Sequence, residues 1–394
     1  MRDAAIVACV SRAFAQSWRY HSNLVFDEET LGISINKCRK DEKMKEFTSK
    51  VDCILKKHSG IGVKTLKFQV DVVYSMKDCC HLYHLDSWLY SAVKPGIEEL
   101  NLTLSSINEM YNFPWSLLSG ETGDSLWDLV LVSCHFRPTK LICLKSLKRL
   151  RLHKVDILED ELECLLSNSF SLEQMKLGYC NKIVCLKIPC LQRLSSLEVF
   201  TCHSLQIIES KASQPVQFQL CSIPNLEDLS ISSRTEVVDT PMVNSKFLHL
   251  KLLNIVVGGH AYDFLSLVSF FDASPSLETF RLTVLLAHEE RISIFVDPLD
   301  LRTIPEHPHD KLKHVEIINF SSAKSLIELT CHILQSTRSL ERLTLDTTQG
   351  FASCSISKSG KCVMMPKGAL VEAHRALLAV ETYIKPNVPP PLLS

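Results

Sequence analysis

Glycine is scarce in this sequence, with 12 residues among 394. Gly60-Ile61-Gly62 lacks the third glycine of a dinucleotide-binding loop, and Gly360-Lys361 precedes Cys362, where a phosphate-binding loop needs Ser or Thr. No Gly-x-Ser-x-Gly motif marks a nucleophilic serine. The sequence therefore predicts no enzyme activity and no cofactor.

The spacing that zinc sites require is also missing. Cys79, Cys80, His81 and His84 are close in sequence, but no Cys-x-x-Cys and no His-Glu-x-x-His occurs anywhere in the chain. We predict no metal site. The 16 cysteines are interpreted first as small core residues.

The first residues do not form a charged region followed by the apolar core of a secretory signal, and no apolar run approaches about 18 residues. The sequence thus predicts a cytoplasmic or nuclear protein. The 43 Lys and Arg against 44 Asp and Glu give no general attraction to nucleic acid or to a membrane. The basic stretch 37–67 has helical spacing and is interpreted as a solvated amphipathic helix, with a nuclear address or a phosphate-binding patch as alternatives.

Leucine, by contrast, is abundant, with 58 residues, and it recurs in a pattern. The pattern is an apolar residue, two variable residues, an apolar residue, one variable residue and an apolar residue. Its average interval of about 28 residues is typical of leucine-rich repeats. The eleven copies end at Phe68, Leu102, Leu131, Leu152, Leu177, Val199, Ile231, Ile255, Leu282, Ile317 and Leu345.

Three copies carry a cysteine three residues after the last apolar position, namely Cys134, Cys180 and Cys202. At that point a short strand turns, and a small residue there can lie inside the protein and meet exposed backbone groups. The stretches 159–168, 262–271 and 323–336 between copies have helical periodicity. Together these features predict an α/β leucine-rich-repeat solenoid, curved, with parallel strands on its concave face and helices and loops on its convex face.

Both ends of the chain resemble the plant family of F-box/leucine-rich-repeat proteins. Residues 1–5, 8–12 and 17–19 are similar to the second half of an F-box, and Leu24-Val25-Phe26 with Glu29-Thr30-Leu31-Gly32 is similar to the stretch that follows it. Residues 372–381 with Tyr383-Ile384 resemble the helix that closes the repeat domain. The resemblance implies a substrate receptor of a cullin-RING ubiquitin ligase, in which the F-box binds the adaptor subunit and the repeats bind the target protein.

The resemblance and the repeat pattern together divide the chain into four parts. We expect a partial, helical F-box over 1–30, a connecting or capping helix over 31–62, repeats over 63–350, and a closing segment over 351–394 with a helix over 367–384 and a proline-rich tail. The closing helix is predicted to be amphipathic, with an apolar side that carries Leu370, His374, Leu377, Leu378 and Ile384. The long interval between residues 277 and 312 contains several prolines and predicts an exposed insertion.

Candidate binding residues follow from these expectations. Val10, Phe14 and Trp18 form an apolar stripe that would contact the adaptor, and packing of this stripe against the first repeat is the alternative. Because the family's F-box opens with a Leu-Pro-containing helix ahead of the part resembled here, a free-standing interaction scaffold without adaptor binding is the alternative function. Variable positions beside the strands should project towards a target. They are Lys148, Arg149, Arg151, Glu227, Asp228, Glu341 and Arg342. Ordinary solubilising surface charges are the alternative interpretation of these residues.

Overall fold

The protein is described by a computed structural model. The residues it describes are 20–33, 40–58, 62–70, 80–104, 110–138, 143–189, 191–202, 204–205, 207–210, 225–233, 247–258, 262–285, 293–295, 301–302, 304, 308–348 and 366–388. The chain forms two compact units, residues 1–194 and 195–394. Each unit contains its own ladder of parallel strands.

The ladder of the first unit has six parallel strands. In spatial order these are β1 (Asn23–Phe26), β2 (Thr65–Val70), β3 (Glu99–Leu104), β5 (Asp128–Val132), β7 (Arg149–His153) and β8 (Gln174–Gly178). A second, shorter pair consists of β4 (Tyr111–Phe113) and β6 (Cys134–Phe136). Strand β9 (Cys185–Ile188) lies outside the ladder and contacts the helix over Glu159–Ser167.

The second unit repeats this arrangement with six more parallel strands. They are β10 (Ser196–Phe200), β12 (Asp228–Ser233), β13 (Leu252–Val257), β14 (Thr279–Val284), β15 (His314–Ile318) and β16 (Arg342–Asp346). Strand β11 (Ile207–Ser210) lies outside this ladder. All eleven predicted copies of the leucine pattern therefore coincide with strands, and the repeat architecture predicted from the sequence is confirmed.

The alternation of apolar residues explains both the strands and their register. Successive side chains of a strand point to opposite faces, so residues two apart enter the core together. In the first unit Leu100, Leu129 and Leu150 are register partners on neighbouring strands, and all three are buried. The same stacking joins Leu229, Leu253 and other apolar residues in the second unit. The strands thus share one apolar face, and their variable residues lie on the other face.

A recurrent left-handed turn follows several strands. The φ angles there are between 51° and 60°, at Ser133, Lys154, Tyr179, Thr201 and Asn319. Each of these residues directly follows the last residue of a ladder strand, and the residue after it is buried. Three of those buried residues are Cys134, Cys180 and Cys202, so their predicted interior position is confirmed. Cys180 Sγ donates to the Gly178 carbonyl at 3.5 Å, and burial raises the pKa of the Cys134 thiol to about 12.

The helices connect or flank the strands. They are α1 (Lys40–Lys57), α2 (Cys80–Ala92), α3 (Glu121–Ser125), α4 (Glu159–Ser167), α5 (Val268–Ala273), α6 (Lys324–Ser336) and α7 (Lys367–Ala379). Short 3₁₀ turns occupy Trp115–Leu118 and Phe264–Leu267. The helices predicted around 159–168, 262–271 and 323–336 are confirmed, although the middle one begins as a 3₁₀ turn.

Helix α1 is the amphipathic helix predicted for the basic stretch. Met44, Phe47, Val51 and Leu55 are spaced three or four residues apart, and all four are buried. Trp88 of α2 packs against α1, with its ring centroid 6.1 Å from that of Phe47. Lys45, Lys56 and Lys57 of α1 are exposed, as the interpretation of a solvated face requires, whereas Lys67 near the end of the stretch belongs to β2.

The expectation that residues 1–30 are helical is wrong for Asn23–Phe26. These residues form β1, the first strand of the ladder, with Leu24 beside Leu66 and Phe26 beside Phe68. Leu24 and Phe26 alternate with more exposed neighbours, which suits a strand, and their burial covers the edge of β2. The helix expected over residues 1–19 lies outside the described residues.

Helix α7 exists as predicted, but the expected apolar face is wrong. On the predicted side, Leu370, Leu377 and Leu378 are each about half exposed, although Ile384 is buried. The buried side instead carries alanines, at 369, 373, 376 and 379. Glu372 fixes this rotation, because its Oε1 accepts hydrogen bonds from the Ser322 backbone N–H at 2.7 Å and from the Ser322 hydroxyl at 2.8 Å. A π-helical turn over Val380–Ile384 and a 3₁₀ turn over Lys385–Asn387 follow α7.

The interval 277–312 is not simply an exposed insertion. Ile294 is buried, and the Ile294 backbone N–H donates to the Ser322 carbonyl at 2.9 Å. The His309 backbone N–H likewise donates to Ser336 at the end of α6. The described parts of this interval therefore pack against the rest of the second unit. Their backbone hydrogen bonds supply the partners that buried backbone groups need.

Candidate protein-binding surface

The described residues include an open cleft and the open faces of the strands as candidate binding surfaces. Among them, no group of three His, Cys, Asp or Glu side chains is placed to hold a metal ion. No helix within the described ranges is both long and apolar enough to cross a membrane. An open cleft beside α1 and α2 is lined by Lys45, Asp52, Cys53, Lys56 and His84, among others. The open faces of the strands are the more extensive candidate surface.

The structure places all seven predicted target-binding residues at the surface of the strands, and only Arg149 is half-buried. Their exposure follows from alternation, as predicted, whereas their role in binding stays a prediction. They form three separate groups rather than one site. Lys148, Arg149 and Arg151 lie at β7 of the first unit, Glu227 and Asp228 at β12, and Glu341 and Arg342 at β16 of the second unit.

The β7 group forms a cluster around a buried carboxylate. Asp128 is the first residue of β5 and the register partner of Arg149, and its side chain is 7% exposed. Arg151 donates two hydrogen bonds to this carboxylate, at 2.7 and 2.9 Å, and Arg149 approaches it to 3.0 Å. The Arg149 guanidinium also lies over the Trp127 ring, 4.5 Å from its centroid. One carboxylate thus holds two guanidinium groups in place, because charge-assisted hydrogen bonds fix their geometry.

Further cations continue this cluster towards the carboxyl ends of the strands. Lys176 of β8 is the register partner of Arg151. Lys154 follows β7 in the left-handed conformation, and its Nζ lies 5.8 Å from the Tyr179 ring centroid. The Tyr179 ring also contacts His153 edge to face, with 5.0 Å between centroids. Burial lowers the pKa of His153, and the positive charges of Lys154 and Lys176 lower it further. We call Trp127, Asp128, Arg149, Arg151, His153, Lys154, Lys176 and Tyr179 the basic-aromatic patch.

The groups in the second unit are mixed in charge. Glu227 pairs with Lys251 at 3.1 Å, and the pKa of the neighbouring Asp228 is raised by burial and by the charge of Glu227. Glu341 lies 3.9 Å from Lys313. On the open face between them, Arg281 of β14 pairs with Glu316 of β15 at 3.1 Å. Within the described residues of this unit, these acids and bases largely compensate one another.

Sequence reasoning missed six residues of the patch: Trp127, Asp128, His153, Lys154, Lys176 and Tyr179. Alignment of the repeats is the sequence feature that indicates two of them, Asp128 and Lys176. Aligning the copies that end at Leu131, Leu152 and Leu177 places Asp128, Arg149 and Gln174 in one row and Val130, Arg151 and Lys176 in the next. The predicted adaptor-binding residues Val10, Phe14 and Trp18 lie outside the described residues.

The chain is similar to known proteins that contain leucine-rich repeats. The family model for the leucine-rich-repeat domain of At1g61320/AtMIF1 matches residues 54–223 and 216–392. Two relatives from Arabidopsis thaliana are named F-box/FBD/LRR-repeat proteins. At1g13570 is 28% identical, over 47% of this chain and 41% of the relative. At3g26920 is 25% identical, over 60% of this chain and 63% of the relative.

The chain spans 41% of the length of At1g13570 and 63% of that of At3g26920, which is less than two thirds of either relative. The repeat region is the part that the family model recognises, and it includes nearly all of the strands described above. Because that match covers more than half of the sequence, the chain belongs to the At1g61320/AtMIF1 leucine-rich-repeat domain family.

Proposed function

We propose that this protein is the substrate-recognition subunit of a cullin-RING ubiquitin ligase of the SCF type. Its repeats bind a target protein, and its N-terminal segment binds the ligase adaptor. The chain performs no bond chemistry in this role. Binding the target beside the ligase raises the local concentration of ubiquitin-charged enzyme near the target.

One observation carries the proposal: a repeat domain of protein-interaction type is joined to an N-terminal segment that resembles an F-box, and two relatives bear F-box names. The open strand faces with their charged residues supply a surface for a protein partner. The cytoplasm or the nucleus is the compartment we propose for this activity.

Titration of the purified chain with the adaptor subunit tests the adaptor half of the proposal. We expect saturable binding, and we expect Trp18→Ala to weaken it, because a large apolar side chain in a contact contributes strongly to affinity. Phe170→Ala is the matched control, since Phe170 is an exposed aromatic residue in the repeats. A Trp18→Ala chain that binds as well as the unaltered chain would remove Trp18 from the contact.

A version of the chain with a complete F-box placed before Met1 completes the experiment. Adaptor binding by both versions supports the ligase role for the chain as given. Binding by the extended version alone contradicts that role and supports the free-standing scaffold instead. Circular dichroism of both versions shows whether the repeats are equally folded.

A further inference from the structure

We propose that the basic-aromatic patch binds an extended acidic segment of the target protein through its carboxylate side chains. The inference rests on the proposed function in one respect, namely that the partner is a target recruited by the repeats. It adds the chemistry of that partner and the residues that recognise it.

The charge balance of the patch is the first argument. Arg149, Arg151 and Lys154 contribute three positive charges, and Asp128 contributes one negative charge. The Asp128 side chain is only 7% exposed, beneath two guanidinium groups, whereas that of Arg151 is 45% exposed. An approaching ligand therefore meets the cations before it meets the carboxylate.

Two carboxylates at the margin of the patch pair with lysines outside it. Glu99, the register partner of Asp128 on β3, pairs with Lys67 at 3.3 Å. Glu173, just before β8, pairs with Lys148 at 3.4 Å. Glu99 and Glu173 thus each lie beside a lysine that is not part of the patch. The lowered pKa of His153 agrees with this picture, since Lys154 and Lys176 both contribute to it.

The spacing of the patch fits an extended peptide. Arg149 and Arg151 are two residues apart on β7, about 7 Å along the strand, and alternate side chains of an extended peptide have the same separation. Lys154 and Tyr179 continue the patch past the strand ends, where the left-handed turns place their side chains beside each other. The rings of Trp127 and Tyr179 add apolar contact area beside the charges, a combination common in protein interfaces.

The test uses a fluorescent eight-residue peptide of alternating Glu and Thr, a Gln-Thr counterpart and a phosphoserine-Thr counterpart. Fluorescence anisotropy with the full chain measures binding. We expect the Glu peptide to bind and the Gln peptide not to bind. We expect the double variant Lys154→Gln with Lys176→Gln to lose about tenfold in affinity, because charge complementarity is removed at two contacts.

Two controls make the result specific. Lys56→Gln with Lys57→Gln changes the net charge equally at two exposed residues of α1, and its affinity should stay within about twofold of the unaltered chain. Lys154→Arg with Lys176→Arg should retain binding. An equal loss in the α1 variant, or binding of the phosphoserine peptide without binding of the Glu peptide, would overturn the inference.

Adaptor titration of the same preparations separates this inference from the proposed function. A chain that binds the Glu peptide through Lys154 and Lys176 but does not bind the adaptor contradicts the ligase role and supports the acidic-segment site. A chain that binds the adaptor, but whose affinity for the Glu peptide does not depend on these lysines, overturns the site and leaves the ligase role standing.

Discussion

Asn319 shows how a single residue ends a strand in this fold. It follows β15 with φ of 60°, and its side-chain Nδ2 donates to the Val284 carbonyl at the end of β14, at 2.8 Å. Asparagine tolerates the left-handed conformation better than most residues, because its short polar side chain can form local hydrogen bonds. The same residue therefore permits the turn and joins two neighbouring strands.

We expect Asn319→Ala to lower the free energy of unfolding by about 1–2 kcal/mol, since it removes the hydrogen bond and places an alanine in the left-handed region. Asn319→Gly also removes the hydrogen bond but tolerates positive φ, so its loss should be smaller. Urea unfolding followed by circular dichroism measures both variants. A glycine variant less stable than the alanine variant would contradict the role of the backbone conformation.

For single residues, the sequence predicts which side chains are buried better than it predicts which side chains contact each other. Leu150 and Leu152 are identifiable as core residues because alternation alone determines which face they share. The pairing of Asp128 with Arg151 is different, since it depends on which strand lies next to β7 and in which register. A one-residue shift of that register would turn these side chains to opposite faces, and the leucine pattern must be placed on a sheet before such a pair becomes visible.

Helix α7 shows for a whole helix that contacts are harder to predict from sequence than periodicity. Its two apolar stripes, one of leucines and one of alanines, are both compatible with an amphipathic helix. Hydrophobicity favours burial of the leucines, but the structure buries Ala373 and Ala376 and anchors Glu372 to Ser322. Small side chains allow a helix to approach its support closely, and a hydrophobicity pattern does not measure that distance.

This arrangement predicts opposite responses on the two faces of α7. We expect Ala376→Leu to destabilise the protein by about 1–3 kcal/mol, because added methylene groups overfill a fully buried position. Leu377→Gln, at a position 53% exposed, should change stability by less than about 0.5 kcal/mol. Thermal unfolding measures both. A larger loss for Leu377→Gln than for Ala376→Leu would show that the leucine face packs inward.

Arg302 joins the segment before β15 to α6 and to the turn at Asp263. It donates to Glu328 of α6, whose side chain is 0% exposed, from Nε at 2.9 Å, and to Asp263 at 2.8 and 2.9 Å. Arg302→Ala should destabilise the protein by about 2–4 kcal/mol, because it leaves a buried carboxylate without its cation.

A double-mutant cycle isolates this effect. Glu328→Gln removes the buried charge, so adding Arg302→Ala to it should cost clearly less than Arg302→Ala costs in the unaltered chain. Chemical unfolding of the four proteins gives the coupling energy. Additive losses would mean that Arg302 contributes through packing of its aliphatic part rather than through Glu328.

At the scale of the whole molecule, composition and local charge distribution lead to different expectations. A net charge of −1 predicts no attraction to anions, and it gives no indication of the basic-aromatic patch. The repeats explain the difference, because they bring cations from β7 and β8 together while Glu99 and Glu173 pair with Lys67 and Lys148. Sequence length and period therefore predict the architecture, whereas the binding surface depends on which repeats stand side by side.

This local excess predicts a salt effect on binding without a comparable effect on folding. Raising NaCl from about 50 to 200 mM shortens the screening length from roughly 14 to 7 Å, so the affinity for the Glu-Thr peptide should fall severalfold. The midpoint of thermal unfolding should change little, because the fold is held mainly by the buried apolar face of the ladders. The variant Lys154→Gln with Lys176→Gln should show a weaker salt dependence of the residual peptide binding, since fewer cations remain to be screened. Equal salt dependence in that variant and in the unaltered chain would place the anion-binding charges elsewhere on the molecule.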